Sequence, residues 1–197
     1  MLLKPKATIQ VAVPTPAVGS VELRNPHPLI RAALADKSQV PQEYGRLQFR
    51  WRGHVDIRVT QPLVRRALKI LDTVFKSLEK LGTTVHIATR ERSGYERSRR
   101  CTFATDQREQ VQITIKEKTT QRSNPAWTEE KRYSVAKHIY DPTGRLTFML
   151  DEDRYGWASK SGRTWTDSRG HLIEEYLDEI VSAITQAFVD KRPSVDV

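Results

Sequence analysis

Residues 60–82 read TQPLVRRALKILDTVFKSLEKLG, and this stretch decides the fold. Val64, Ala67, Leu68, Leu71, Val74, Phe75, Leu78 and Leu81 recur at steps of three and four, the spacing that aligns side chains along one face of an α-helix. Thr60 stands where an N-cap is needed, and Pro62 falls in the first turn, where its missing N–H costs nothing. Gly82 stops the run, because glycine enters the left-handed conformation of a helix C-terminus without penalty. Arg65, Arg66, Lys69, Asp72, Lys76, Glu79 and Lys80 fill the polar face. A helix with so continuous a stripe must bury it against a partner layer, and the flanking sequence offers strands.

Upstream, Leu47, Phe49 and Trp51 alternate with Gln48, Arg50 and Arg52, and Val55, Ile57 and Val59 alternate with Asp56 and Arg58. That period of two predicts two strands, or one bent at Gly53. Before them, Asn25-Pro26-His27-Pro28 opens a short amphipathic helix over residues 29–34, broken by the Pro41-containing stretch 38–45. Downstream, residues 84–89 read as a strand, 90–100 as a charged loop, and Cys101, Phe103 and Thr105 as the start of another strand. Val111, Ile113 and Ile115 alternate with polar residues, and 119–130, with Pro125 inside, reads as a long loop. Tyr133, Val135, Lys137 and Ile139 lead into Asp141-Pro142-Thr143-Gly144, whose composition predicts a tight hairpin turn before Leu146, Phe148 and Leu150. The last element begins near Asp167 or Ser168. It carries Leu172, Ile173, Tyr176, Leu177, Ile180, Val181, Ile184 and Phe188 on a broad stripe, with acids early and Lys191 and Arg192 late, as the helix dipole favours.

Strands clustered between helices predict an α+β fold, a largely antiparallel sheet with two long amphipathic helices packed on one face. Residues 1–24, with Pro5, Pro14 and Pro16, read as an extended arm or linker. Residues 25–192 read as a single α+β domain, and 193–197 as a disordered tail. Hydrophobic residues make up 38% of the chain, enough for a packed core and too much for a disordered chain. One cysteine, Cys101, excludes an internal disulfide and points to a reducing, cytoplasmic setting. No run of apolar residues is long enough for a signal peptide or a membrane span, so no membrane partner is expected.

The net charge of +9 is unevenly spread. Residues 46–66 hold six arginines against one aspartate and residues 90–100 five against two glutamates, whereas residues 171–190 hold five acids and no Lys or Arg. The basic segments would attract a polyanion by counterion release. Arg46, Arg50 and Arg52 share one side of their strand and can present a row of guanidiniums to phosphates. Arg97, Arg99 and Arg100 lie beside Tyr95, on which an unpaired base could stack. The same arginines also fit a simpler role, keeping an exposed sheet edge soluble.

Catalytic motifs are missing from the sequence. Neither the P-loop nor the Gly-x-Gly-x-x-Gly pattern occurs, so ATP and dinucleotides are not expected ligands. His27, His54, His86, His138 and His171 stand at no zinc-ligand spacing, and no metal or cofactor is expected. Cys101, beside Arg99 and Arg100, could be a thiolate nucleophile, but its place in an apolar alternation suits a buried core thiol. The one enzyme reading with candidate residues is a divalent-metal nuclease, with Asp106, Glu109, Glu117 and Lys118 organising the ion and the attacking water.

Several blocks act together as a signature: His27-Pro28-Leu29-Ile30, Asp56-Ile57-Arg58-Val59, Arg66-Ala67-Leu68-Lys69-Ile70-Leu71-Asp72, Ile115-Lys116-Glu117-Lys118, and Trp165-Thr166-Asp167 ahead of Leu172-Ile173-Glu174-Glu175-Tyr176-Leu177. In that order, over roughly residues 25–190, the chain resembles the C-terminal region of a group of poorly characterised bacterial proteins that begin with a short helix-turn-helix. The resemblance implies a domain attached to DNA-binding machinery, as in regulators or mobile-element proteins. It brings no assigned site residues, and the residues ahead of His27 carry no helix-turn-helix pattern. The sequence thus reads as a non-enzymatic accessory or regulatory domain that contacts nucleic acid through its arginines or mediates self-association. The alternatives are the metal nuclease and a protein-interaction module that uses its acidic last helix.

Overall fold

The computed structural model describes residues 23–35, 40–41, 47–48, 55–90, 99–107, 109–151 and 162–191, with the backbone alone at 40, 41, 47, 48, 90, 99 and 100. In chain order the elements are α1 (Pro28–Ala35), β1 (Val40–Pro41), β2 (Leu47–Gln48), β3 (Ile57–Val59), α2 (Gln61–Lys80), β4 (Thr84–Arg90), β5 (Arg99–Asp106), β6 (Glu109–Ser123), β7 (His138–Leu150), β8 (Thr164–Thr166) and α3 (Leu177–Lys191). Strands β4, β5, β6, β7 and β8 pair antiparallel with their chain neighbours, and β1, β2 and β3 join through a parallel β3–β6 contact at Ile57↔Ile115. The molecule is therefore α+β, with a predominantly antiparallel sheet.

Helix α2 follows its sequence closely. Leu68, Leu71, Val74, Phe75 and Leu78 are almost wholly buried, each contributing about 1.5–3 kcal/mol of transfer free energy. At the C-terminus Gly82 takes φ +84°, its N–H and that of Thr83 return to Glu79 O and Leu78 O, and Leu81 lies outside the stripe, 61% exposed. At the N-terminus Thr60 occupies the cap position, but its side chain makes no capping bond; its N–H instead donates to Glu117 Oε2 at 2.8 Å. On the sheet, Ile113 opposes Leu150, Ile115 opposes Phe148, and Phe148 opposes Trp165. Opposed residues point to the same side, and these belong to one hydrophobic cluster with the apolar residues of α2 and α3.

The expected hairpin turn at Asp141-Pro142-Thr143-Gly144 is absent, and β7 runs straight through it. Glu117 pairs with Leu146 and Thr119 with Pro142, so β7 carries two extra residues opposite Lys118, a bulge. Gly144, at φ +72°, supplies the backbone conformation the bulge needs, and its N–H donates to Glu117 Oε1 at 2.7 Å. Thr143 Oγ1 donates to Lys118 O at 2.7 Å. Turn-forming residues have been used to kink a strand instead of ending it. The expected loop at 119–130 likewise starts late: β6 continues to Ser123.

The α-helices among the described residues have 8, 20 and 15 residues, and the last starts later than its apolar pattern suggests. A 3-10 turn, Ile173–Tyr176, precedes α3, and its start is fixed by Asp167, whose Oδ1 accepts the Ile173 N–H at 3.1 Å. Glu175 takes the Leu172 N–H at 3.0 Å, and that bond, with His171 next, holds its carboxyl below the usual range.

Arg66 and Asp72, assigned to the polar face of α2, are buried. Arg66 reaches Asp167 at 2.6 and 2.9 Å and Glu174 at 2.6 and 2.8 Å. Burial alone would ease its proton off, but the hydrogen bonds and charges of Glu174 and Asp167 outweigh that and push its pKa above the usual arginine value. Asp72 accepts the His27 N–H at 2.6 Å and Lys76 Nζ at 2.6 Å, while His27 Nε2 meets Glu79 at 2.9 Å, so α1 is pinned to α2. Arg66→Ala strands the Asp167 carboxylate and is expected to cost about 3–5 kcal/mol, read as a lower urea midpoint. Arg65→Ala, on the exposed side of the same turn, is expected to stay within about 0.5 kcal/mol. Similar small losses in both would remove the ion network from the account.

Candidate nucleic-acid interface

Beyond the bulge, β6 and β7 leave the sheet together. Residues 119–123 pair with 138–142 of β7, from Thr119↔Pro142 to Ser123↔His138, and among the described residues no other strand joins them. From Lys118 to Arg145 no side chain is buried. The result is a two-stranded arm whose strands rise about 20 Å past Glu117 at roughly 3.3 Å per residue. Its base is clamped by two buried carboxylates. Glu117, 2% exposed, takes the Gly144 N–H, and Asp167, 5% exposed, takes the Leu146 N–H at 2.8 Å.

The tip, residues 124–137, is held by hydrogen bonds. Asn124 organises it: its N–H donates to Lys137 O, its Nδ2 to Ala136 O, and its Oδ1 and backbone O accept the N–H groups of Ala126 and Trp127, all at 2.8–3.0 Å. A 3-10 turn at Glu129–Lys131 and bonds from Ser134 and Val135 N–H to Lys131 O complete it. The arm carries Lys118, Arg122, Lys131, Arg132, Lys137 and Arg145 against Glu129, Glu130 and Asp141, a net charge of +3. Arg122 pairs with Asp141, and Arg132 pairs with Glu129 and lies 4.8 Å from the centre of the Tyr133 ring. Lys137 Nζ sits 5.2 Å from the centre of the Trp127 ring.

Of the arginines singled out by sequence, Arg46, Arg50, Arg52 and Arg97 lie outside the described residues. Arg99 and Arg100 open β5, where Arg99 stands across from Arg90 and Arg100 across from Thr89. Because Thr102 pairs with Ile113 and Asp106 with Glu109, moving up β6 towards the arm means moving down β5 towards Arg99. The Arg90/Arg99 end of the β4–β5 ribbon and the β6–β7 arm therefore leave the sheet at the same end.

The four residues of the nuclease reading are not brought together. Asp106 and Glu109 face each other across the β5–β6 turn, while Glu117 lies eight positions along β6, about 26 Å away. Lys118 is exposed at the bulge. Both Glu117 oxygens already accept backbone N–H groups, and among the described residues no three His, Cys, Asp or Glu side chains gather as a metal site. Cys101 is buried, 1% exposed. Three acids of the last helix region have internal work: Glu174 holds Arg66, Glu175 the Leu172 N–H, and Glu179 the Trp165 indole N–H at 3.0 Å. No helix among the described residues is long and apolar enough to cross a membrane.

Sequence reasoning missed the arm, because its β7 side carries turn residues and the alternation of Tyr133, Val135 and Lys137 falls in the tip, ahead of β7, which starts at His138. The available signal was the stretch 116–123, whose strand pattern turns wholly polar without a glycine to end it. Comparison with protein-family models, with curated proteins and with solved structures returns no match. Glu117→Gln replaces one acceptor oxygen by an N–H₂ group that faces a backbone N–H, at an expected cost of about 1–3 kcal/mol. Mg²⁺ should leave the wild-type unfolding midpoint unchanged. A Mg²⁺-dependent rise that Glu117→Gln abolishes would restore the metal-site reading.

Proposed function

We propose that this chain is a non-catalytic accessory domain of a DNA-associated protein, and that it grips nucleic-acid backbone with the β6–β7 arm. The observation that carries this is a run of 28 residues, 118–145, with no buried side chain and a net charge of +3, projecting from a base fixed by Glu117 and Asp167. A lone two-stranded ribbon is marginal in water, so an arm without a core of its own is kept for what it touches. Its strands lie about 4.8 Å apart, and the major groove of duplex DNA, about 12 Å wide, admits such a ribbon. Lysine and arginine along it would displace condensed counterions from phosphates.

Two further observations support the reading. Arg90 and Arg99 are register partners at the same end of the sheet as the arm. The resemblance to C-terminal regions of helix-turn-helix proteins points to the same class of partner, with a second chain or segment supplying sequence recognition. Arg46, Arg50, Arg52 and Arg97 belong to this proposal as additional phosphate contacts.

Titrating a labelled duplex across a salt series tests it. Affinity is expected to fall steeply with salt, and the variant Lys131→Glu/Arg132→Glu/Lys137→Glu to reduce the magnitude of the log–log slope by up to about 3. Absence of binding at low ionic strength, or an unchanged slope in the variant, would overturn the arm as the interface.

A further inference from the structure

We infer that the arm tip is a stacking platform for an unpaired base, so that the nucleic acid gripped by this domain is single-stranded where the tip meets it. This inference rests on the reading of the arm as a nucleic-acid interface and adds the substrate class. Its basis is Tyr133, 89% exposed at the tip of a loop that is nonetheless ordered by hydrogen bonds. The Arg132 guanidinium lies 4.8 Å from the ring centre and 2.9 Å from Glu129, an ion pair that places the cation beside the ring. One ring face thus has its cation and the ring as a whole remains open to solvent. A base on the open face would complete a sandwich of base, tyrosine and guanidinium, the arrangement by which aromatic and Arg groups hold single strands. Trp127, half-buried under Lys137, repeats the pairing of ring and cation within the same tip.

The chemistry favours an unpaired base over a duplex. In a duplex the base faces are covered by their neighbours, and only an edge or a forced kink is available. Side chains that force such kinks are apolar wedges, whereas the tip presents a hydroxylated ring beside a guanidinium, which suits a base that is already unstacked. The preformed loop reduces the ordering cost of binding, which a side chain on an unstructured segment would incur in full.

The test compares oligothymidylate with a duplex of equal length, by fluorescence anisotropy on the full chain at one low salt concentration. Tyr133→Ala is expected to weaken oligothymidylate binding about ten-fold, the loss of one stacked base. Duplex binding, which draws on phosphate contacts, is expected to change by less than about two-fold. Tyr133→Phe, which keeps the ring, is expected to bind oligothymidylate like the wild type. Because Tyr133 is so exposed, neither substitution should alter the thermal unfolding midpoint, which serves as the check on folding. Wild-type affinity of Tyr133→Ala for oligothymidylate, or an equal loss on both nucleic acids, overturns the stacking platform and leaves the arm as a backbone grip. A wild-type chain that binds neither nucleic acid overturns the platform and the underlying reading together.

Discussion

Two buried carboxylates, Glu117 and Asp167, determine where the rest of the molecule can go. Each accepts a backbone N–H from β7 at the foot of the arm, Gly144 for Glu117 and Leu146 for Asp167, and each also reaches α2, through the Thr60 N–H and the Arg66 guanidinium. Burying a carboxylate is costly unless its oxygens are satisfied, and here they are. Asp167 accepts four bonds, two on each oxygen, from Arg66, Leu146 and Ile173. The helix is thereby locked to the strand at the level where β6 and β7 depart from the sheet. The base of the arm is thus tied by hydrogen bonds to both the helix and the sheet.

This arrangement explains which features were legible in the sequence. Helix α2 was, because its stripe is local and packing only confirms it. So were the strand alternation around Val111–Ile115 and the burial of Cys101. Arg66 and Asp72 were misassigned to the solvent face because periodicity reads a charged residue as exposed. What buries Arg66 is a pair of acids more than 100 residues away, which no local pattern contains. The Asp141–Gly144 stretch has the residues of a tight turn, and its local preference for a bend is met by a bulge once Glu117 is placed to take the Gly144 N–H. The late start of the last helix has the same origin, since Asp167 dictates the turn at Ile173.

The residues of the proposed interface were harder to read than the fold. The arginine clusters were found from charge alone, and charge does not locate a surface. The register of β5 against β6 brings the Arg90/Arg99 end of one ribbon and the β6–β7 arm to the same end of the sheet. The nuclease carboxylates separate because a strand spreads residues along its length, and Glu117 lies eight positions from Glu109 on β6.

The distribution of charge therefore divides the molecule by role. Among the described residues the buried carboxylates are Asp56, Asp72, Glu117 and Asp167, and each is engaged by N–H, hydroxyl or cationic donors from another part of the fold. Each of these carboxylates has both oxygens engaged, and Asp167 accepts four bonds, so these groups hold the scaffold together. The cations follow the opposite rule. Arg66 is consumed inside, but Lys118, Lys131 and Arg145 have no ion-pair partner among the described residues and stand along a ribbon without a core. These cations stand on an arm that has no buried side chain and is anchored at its base, and the proposed polyanion would supply the charge they lack among the described residues.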